Sequence, residues 1–133
     1  MRNAARALVG THDFAAFQSS GSKRLSTVRT VDELRVWRPY VEPTPNGAGG
    51  GVENPALCAR LPTVLAPERL IAIEIAADGF LYNMVRTIAG TLAHIGSGLR
   101  PVEHAATSLA AKDRRVAGLN APARGLYLVD VTY

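Results

Sequence analysis

Arg86 has the most pointed chemical setting in the chain. Leu81, Met84, Val85, Ile88, Leu92 and Ile95 recur at helical spacing, which predicts a helix that begins around Phe80 and ends at Gly96 and Gly98. Arg86 falls off this apolar stripe, on a face shared with Asn83, Gly90 and Ala93. A cation near a helix start opposes the helix dipole, which favours anions at that end. The small or polar neighbours leave room for a ligand or another chain segment. Two readings follow. Either Arg86 meets a phosphate or a carboxylate beside the helix N-terminus, or it is a solvated surface arginine. Spacing alone favours the second.

Arg24, Arg29, Arg35 and Arg38 cluster around a predicted strand at 27–38. Val28, Thr30, Leu34 and Val36 share one parity and Arg29, Arg35 and Trp37 the other, with Asp32 breaking the apolar set. Basic residues beside an aromatic on one strand face suit a nucleic-acid surface, and an ordinary solvated face fits them equally. His12 and Asp13 are adjacent, but sequence neighbours rarely point at each other, so capping and core anchoring are preferred to catalysis. Ser19, Ser20 and Ser22 lack a G-x-S-x-G elbow. Gly47 to Gly51 is not followed by Lys-Ser or Lys-Thr, which excludes a phosphate-binding loop of that type. Cys58 is the one cysteine, which rules out an internal disulfide and a multi-cysteine metal cluster. His12, His94 and His104 stand far apart, so no metal is expected. A reducing cytoplasm is the expected compartment.

The elements that must position these residues read in order. Residues 1–9 look helical, with Gly10 as C-cap, and the chain thus opens inside a helix, as a fragment would. Thr11, His12 and Asp13 form a capping cluster before Phe14 and Phe17. After the 27–38 strand, residues 39–69 hold six of the eight prolines and Gly47, Gly49, Gly50 and Gly51, which predicts a long, partly disordered loop. Residues 70–76 form a strand and Asp78-Gly79 a turn. The Arg86 helix is followed by a second from Val102 to Lys112 with Val102, Ala105, Ala106 and Leu109 on one face. Residues 126–133, Leu-Tyr-Leu-Val-Asp-Val-Thr-Tyr, predict a closing strand. The expected fold is α+β, an antiparallel sheet with helices packed on one face.

At 133 residues with 47% hydrophobic and 20% charged residues, the chain has the balance of one globular domain rather than a disordered segment. Lys and Arg number 15 against 11 Asp and Glu. All but Lys23 and Lys112 are arginine, the better bidentate phosphate partner. The excess favours a nucleic-acid partner. No apolar run of about 18 residues is present, so no membrane segment is expected.

Three segments together resemble a known family. Gly10-Thr11-His12-Asp13-Phe14-Ala15-Ala16-Phe17 is similar to the G-x-H-D-F-x-x-F motif of the TruA family of tRNA pseudouridine synthases. Phe80-Leu81-Tyr82-Asn83-Met84-Val85-Arg86, with Ile88 and Gly90, resembles its F-L-x-x-M-V-R-x-I-x-G motif. Ala121-Pro122-Ala123-Arg124-Gly125-Leu126-Tyr127-Leu128 resembles its A-P-x-x-G-L-Y-L motif, and Ala111-Lys112-Asp113-Arg114 also fits. Order and spacing match throughout, apart from the longer 39–69 loop.

The resemblance covers the C-terminal half of the family pattern. It implies one of two related α+β lobes whose sheets join around an RNA-binding cleft. The implied reaction converts uridine to pseudouridine at positions 38 to 40 of the tRNA anticodon stem-loop, by a homodimer, without cofactor or metal. The family's essential aspartate lies in a G-R-T-D motif of the other lobe, and that motif is absent here. None of Asp13, Asp32, Asp78, Asp113 and Asp130 follows Arg-Thr. What carries over is Arg86, which in the family pairs with that aspartate and orients it, and Leu126, an apolar wall beside the target base. His12, Asp13 and Phe14 match their motif as structural residues, and Arg24, Arg29 and Arg35 are the candidate RNA contacts. The expected partners are tRNA, the N-terminal lobe and a second copy. The isolated chain is expected to be inactive. The alternative is a free-standing, non-catalytic RNA-binding or partner module.

Overall fold

The computed structural model describes residues 1–21, 25–38, 40–41, 51–52 and 70–133. Its elements run α1 (Arg2–Arg6), β1 (Gly10–Asp13), β2 (Val28–Trp37), β3 (Tyr40–Val41), β4 (Gly51–Val52), β5 (Ala72–Ala77), α2 (Met84–Gly96) and α3 (His104–Ala111). Two 3-10 turns, Ala15–Phe17 and Ala123–Gly125, complete the set. The chain divides into two compact units, 1–34 with 75–133 and 35–74.

The larger unit carries the core. β1 and β2 pair antiparallel with Gly10 opposite Val31 and Asp13 opposite Val28, and the sheet order is β1-β2-β5. Strands and helices together give the expected α+β class. Leu8, Phe14, Phe17, Met84, Ile88 and Leu92 are fully buried, with Val31 and Leu81 nearly so. Each such side chain contributes about 1.5–3 kcal/mol through removal from water. The apolar stripe of α2 faces this core as its period requires. Phe14 packs edge-on against Phe17 with ring centroids 5.9 Å apart.

Several expectations are corrected. α1 ends at Arg6 with Ala7 as its cap. Gly10 instead opens β1 at φ 106, backbone that only glycine adopts freely. Thr11, His12 and Asp13 are strand residues because they pair along β2, and of the three Asp13 also accepts from Ala15 N–H in the 3-10 turn Ala15–Phe17, as a capping residue does. α2 starts four residues after Phe80, because Asn83 turns the chain at φ 60. In α3 the buried residues are Ala105 and Ser108, while Val102 is exposed. Residues 126–133 form no strand. Alternation decides which side chains share a face, but a strand also needs a neighbour to pair with. Leu126, Tyr127, Leu128, Val129, Val131 and Tyr133 are all exposed.

The smaller unit holds the β3–β4 pair, Tyr40 opposite Val52 and Val41 opposite Gly51. The predicted 39–69 loop therefore contains a short antiparallel ladder, since residues 40–41 and 51–52 satisfy each other's backbone groups. The rest of that segment, including Cys58, lies outside the described residues, as does Ser22. Arg35 pairs with Glu74 at 3.1 Å. Trp37 is 8% exposed, so the expected outward face of Arg29, Arg35 and Trp37 is not formed. The large indole gains more by leaving water than by lining a solvated strand.

Candidate functional site

Arg86 sits in the first turn of α2 and is half-buried. Its Nε donates to Ala121 O at 2.8 Å and its Nη1 to Asn83 Oδ1 at 3.0 Å. In return Ala121 N–H donates to Arg86 O at 2.9 Å. A guanidinium has five N–H donors in a rigid fork, and two acceptors on different segments fix its plane. Among the described residues, no ion pair occupies the remaining donors. The arrangement can present a fixed cation to an anion, in the bidentate geometry that a carboxylate or phosphate accepts.

The strap that holds Arg86 is residues 118–121. It crosses α2 where the helix has no bulk. A Cβ on Gly90 would overlap Leu119 O, and one on Gly118 would stand 2.7 Å from Thr91 Cα. The small face noted in the sequence thus receives another chain segment. Thr91 Oγ1 accepts from Gly118 N–H at 2.9 Å and donates to Thr87 O at 2.8 Å. Thr87 Oγ1 donates to Asn120 Oδ1 at 2.6 Å. Arg114 donates to Gly118 O at 2.9 Å and to Asn120 Oδ1 at 3.2 Å. Buried Thr87 and Thr91 are thereby satisfied.

Leu126 follows the strap by five residues. Its N–H donates to Ala123 O at 3.0 Å, and its side chain is half exposed. It stands on the chain that carries Ala121 and is open to a partner.

The His-Asp-Phe motif engages three different surroundings. His12 Nε2 lies 2.9 Å from Val9 O and its ring meets Phe14 edge-on. Asp13 Oδ1 accepts from Thr27 Oγ1 and from Ala15 N–H, and its Oδ2 pairs with Lys112 at 3.1 Å. The Thr27 hydroxyl, with help from Lys112 and Ala15 N–H, holds the Asp13 carboxyl below its usual range, although partial burial opposes them. Lys112 itself caps α3 in the left-handed region at φ 51. Phe14 lies wholly in the core.

Of the candidate RNA contacts, Arg29 donates through Nη1 to the carbonyls of Ser26 and Val28. Arg35 is paired with Glu74, and Arg24 lies outside the described residues. Among the described residues, no hydrogen bond or ion pair joins Arg29 to Arg86. Sequence reasoning missed Ala121 as the partner of Arg86, and Ser19 and Asn120 as residues that brace Asn83 and the strap. The available signal was Gly90 beside Arg86, which marks a close backbone approach without saying from where.

Comparison with known proteins identifies the family. The family model for tRNA pseudouridine synthase matches residues 4–133. The chain is 41% identical over its whole length to tRNA pseudouridine synthase A of Thermoanaerobacter sp. (strain X514), of which it covers 43%. It is 38% identical to the protein of that name from Limosilactobacillus reuteri (strain DSM 20016), covering 42% of it. Against that of Pseudomonas aeruginosa it is 38% identical and covers 37%. The chain spans about two fifths of the length of these relatives. A match from residue 4 to the last residue, through all three motifs, establishes that this chain belongs to the tRNA pseudouridine synthase family.

Proposed function

We propose that this chain supplies RNA binding and part of the active site of an enzyme that converts uridine to pseudouridine in the tRNA anticodon stem-loop, positions 38 to 40. The observation that carries the reading is the fixed Arg86 guanidinium, held by Ala121 O and Asn83 Oδ1 with donors to spare. Its partner is a catalytic carboxylate from an N-terminal lobe carrying the G-R-T-D motif. The ion pair keeps that acid ionised and oriented. The reaction breaks the glycosidic bond from N1, turns the base and rejoins the ribose to C5. The C5 proton leaves and N1 gains one, so no redox partner or cofactor is needed. Leu126 borders the base as an apolar wall, and Arg24, Arg29 and Arg35 contact the RNA backbone. His12, Asp13 and Phe14 hold the fold of the motif that carries them. The working enzyme is a cytoplasmic homodimer, and the chain alone does not turn over.

The test is Arg86→Ala in the chain supplied with an N-terminal lobe. The reading expects loss of pseudouridine formation with tRNA affinity largely kept. A parallel, large loss of affinity makes Arg86 a phosphate contact and contradicts it.

A further inference from the structure

We infer that Asn83 is a positioning residue for Arg86, held in that role by Ser19 and Asn120; the inference rests on the reading of Arg86 given above. Asn83 occupies the position before α2, where an asparagine side chain ordinarily accepts from a backbone N–H of the first turn. It makes no such bond. Its Oδ1 accepts instead from Arg86 Nη1 at 3.0 Å, and its Nδ2 donates to Ser19 Oγ at 3.2 Å. Its backbone stands at φ 60, a region asparagine enters more easily than most side chains. The residue type therefore serves both the turn and the contact.

The orientation of the amide follows from its partners. Turned over, its NH2 would face the guanidinium, donor against donor. Arg86 therefore sets the orientation, since a serine hydroxyl can meet either end of an amide, and Ser19 Oγ buttresses the Nδ2 end. Ser19 Oγ also lies 3.4 Å from Asn120 Nδ2, and Ser19 N–H donates to Tyr82 O at 3.0 Å. Asn120 is anchored in turn by Thr87 and Arg114. One serine thus ties the residue that holds Nη1 to the neighbour of the residue that holds Nε. Asn83 is also neutral. A carboxylate there would satisfy the charge of Arg86 and compete with an incoming acid, whereas an amide aims the cation and leaves its charge to the reaction.

Asn83→Gly separates these roles, because glycine keeps the left-handed turn and removes the acceptor. In the chain alone, exchange of the Arg86 guanidinium protons, read by NMR, should speed up about tenfold, while amide exchange along α2 stays as in the wild type. Ser19→Ala should act in the same direction and less. With an N-terminal lobe supplied, Asn83→Gly should lower kcat about tenfold to a hundredfold, with KM for tRNA within about twofold. Unchanged Arg86 exchange in Asn83→Gly overturns the inference, as does a raised KM at unchanged kcat. If Asn83→Gly fails to fold, Ser19→Ala decides, and unchanged Arg86 exchange there overturns it. Faster exchange in a chain that forms no pseudouridine with any lobe leaves Asn83 as the holder of Arg86 and removes the catalytic reading instead.

Discussion

Arg86 and Ala121 are joined by two hydrogen bonds that run in opposite directions. Arg86 Nε donates to Ala121 O at 2.8 Å, and Ala121 N–H donates to Arg86 O at 2.9 Å. The first turn of α2 and the 118–121 strap therefore behave as one piece around the guanidinium. Whatever loosens the strap loosens the cation.

The contact between strap and helix is steric as well as polar. Gly90→Ala drives a methyl group into Leu119 O and should destabilise the chain by about 1–3 kcal/mol. Thr91→Val leaves buried Gly118 N–H without its acceptor and should cost about 1–3 kcal/mol. Gly125→Ala has open space around it and should change stability by less than about 0.5 kcal/mol. Urea unfolding midpoints check all three; equal midpoints for Gly90→Ala and Gly125→Ala would mean the strap does not lie on α2.

The Asp13 carboxyl titrates below its ordinary value of 3.8, chiefly through the Thr27 hydroxyl. A depressed carboxylate stabilises the fold fully above its unfolded value, and that stability is lost as pH falls through the lower folded value. Asp13→Asn should lower stability at neutral pH and flatten the loss below about pH 4. Unfolding free energies across pH 2–7, wild type against variant, measure this; a constant difference over that range would contradict it.

Arg86→Lys keeps the charge and discards the fork. A single ammonium on a flexible stem cannot replace the planar grip on Ala121 O and Asn83 Oδ1 while facing an acid. With an N-terminal lobe supplied, turnover should fall about a hundredfold or more while tRNA binding at physiological salt stays close to wild type. Near-normal kcat in Arg86→Lys would reduce Arg86 to a point charge.

The exposed run of Leu126, Tyr127, Leu128, Val129, Val131 and Tyr133 is a large apolar surface on a small chain. The chain should self-associate, with light-scattering mass rising over a concentration series. A single monomer mass across the series would contradict this.

Much of the framework is written in short-range pattern. The 3.6-residue period from Leu81 to Ile95 gives α2 and its buried face, whereas Asp78-Gly79 gives only a bend at Asp78, and the turn into α2 falls at residues 82–83. The site is less legible because it is built from distant residues. Ser19 and Asn120 are 101 positions apart, and no local periodicity relates them. A left-handed Asn83 looks like any polar residue on the Arg86 face, so the pattern places the start of α2 near Phe80 and not at Met84. Residues 126–133 carry the alternation of a strand without its ladder, since pairing depends on a neighbour and not on the pattern itself. Trp37 shares the parity of Arg35 and is buried nonetheless, because ring area outweighs alternation.

The central claim is that this chain completes an active site whose acid lies elsewhere. Tritium release from tRNA labelled at uridine C5 tests it most directly, with the chain alone and then with an N-terminal lobe supplied. The account predicts release only when the lobe is present. Release from the chain alone would contradict it and turn attention to Asp13, Asp32, Asp78, Asp113 and Asp130 as the source of the acid.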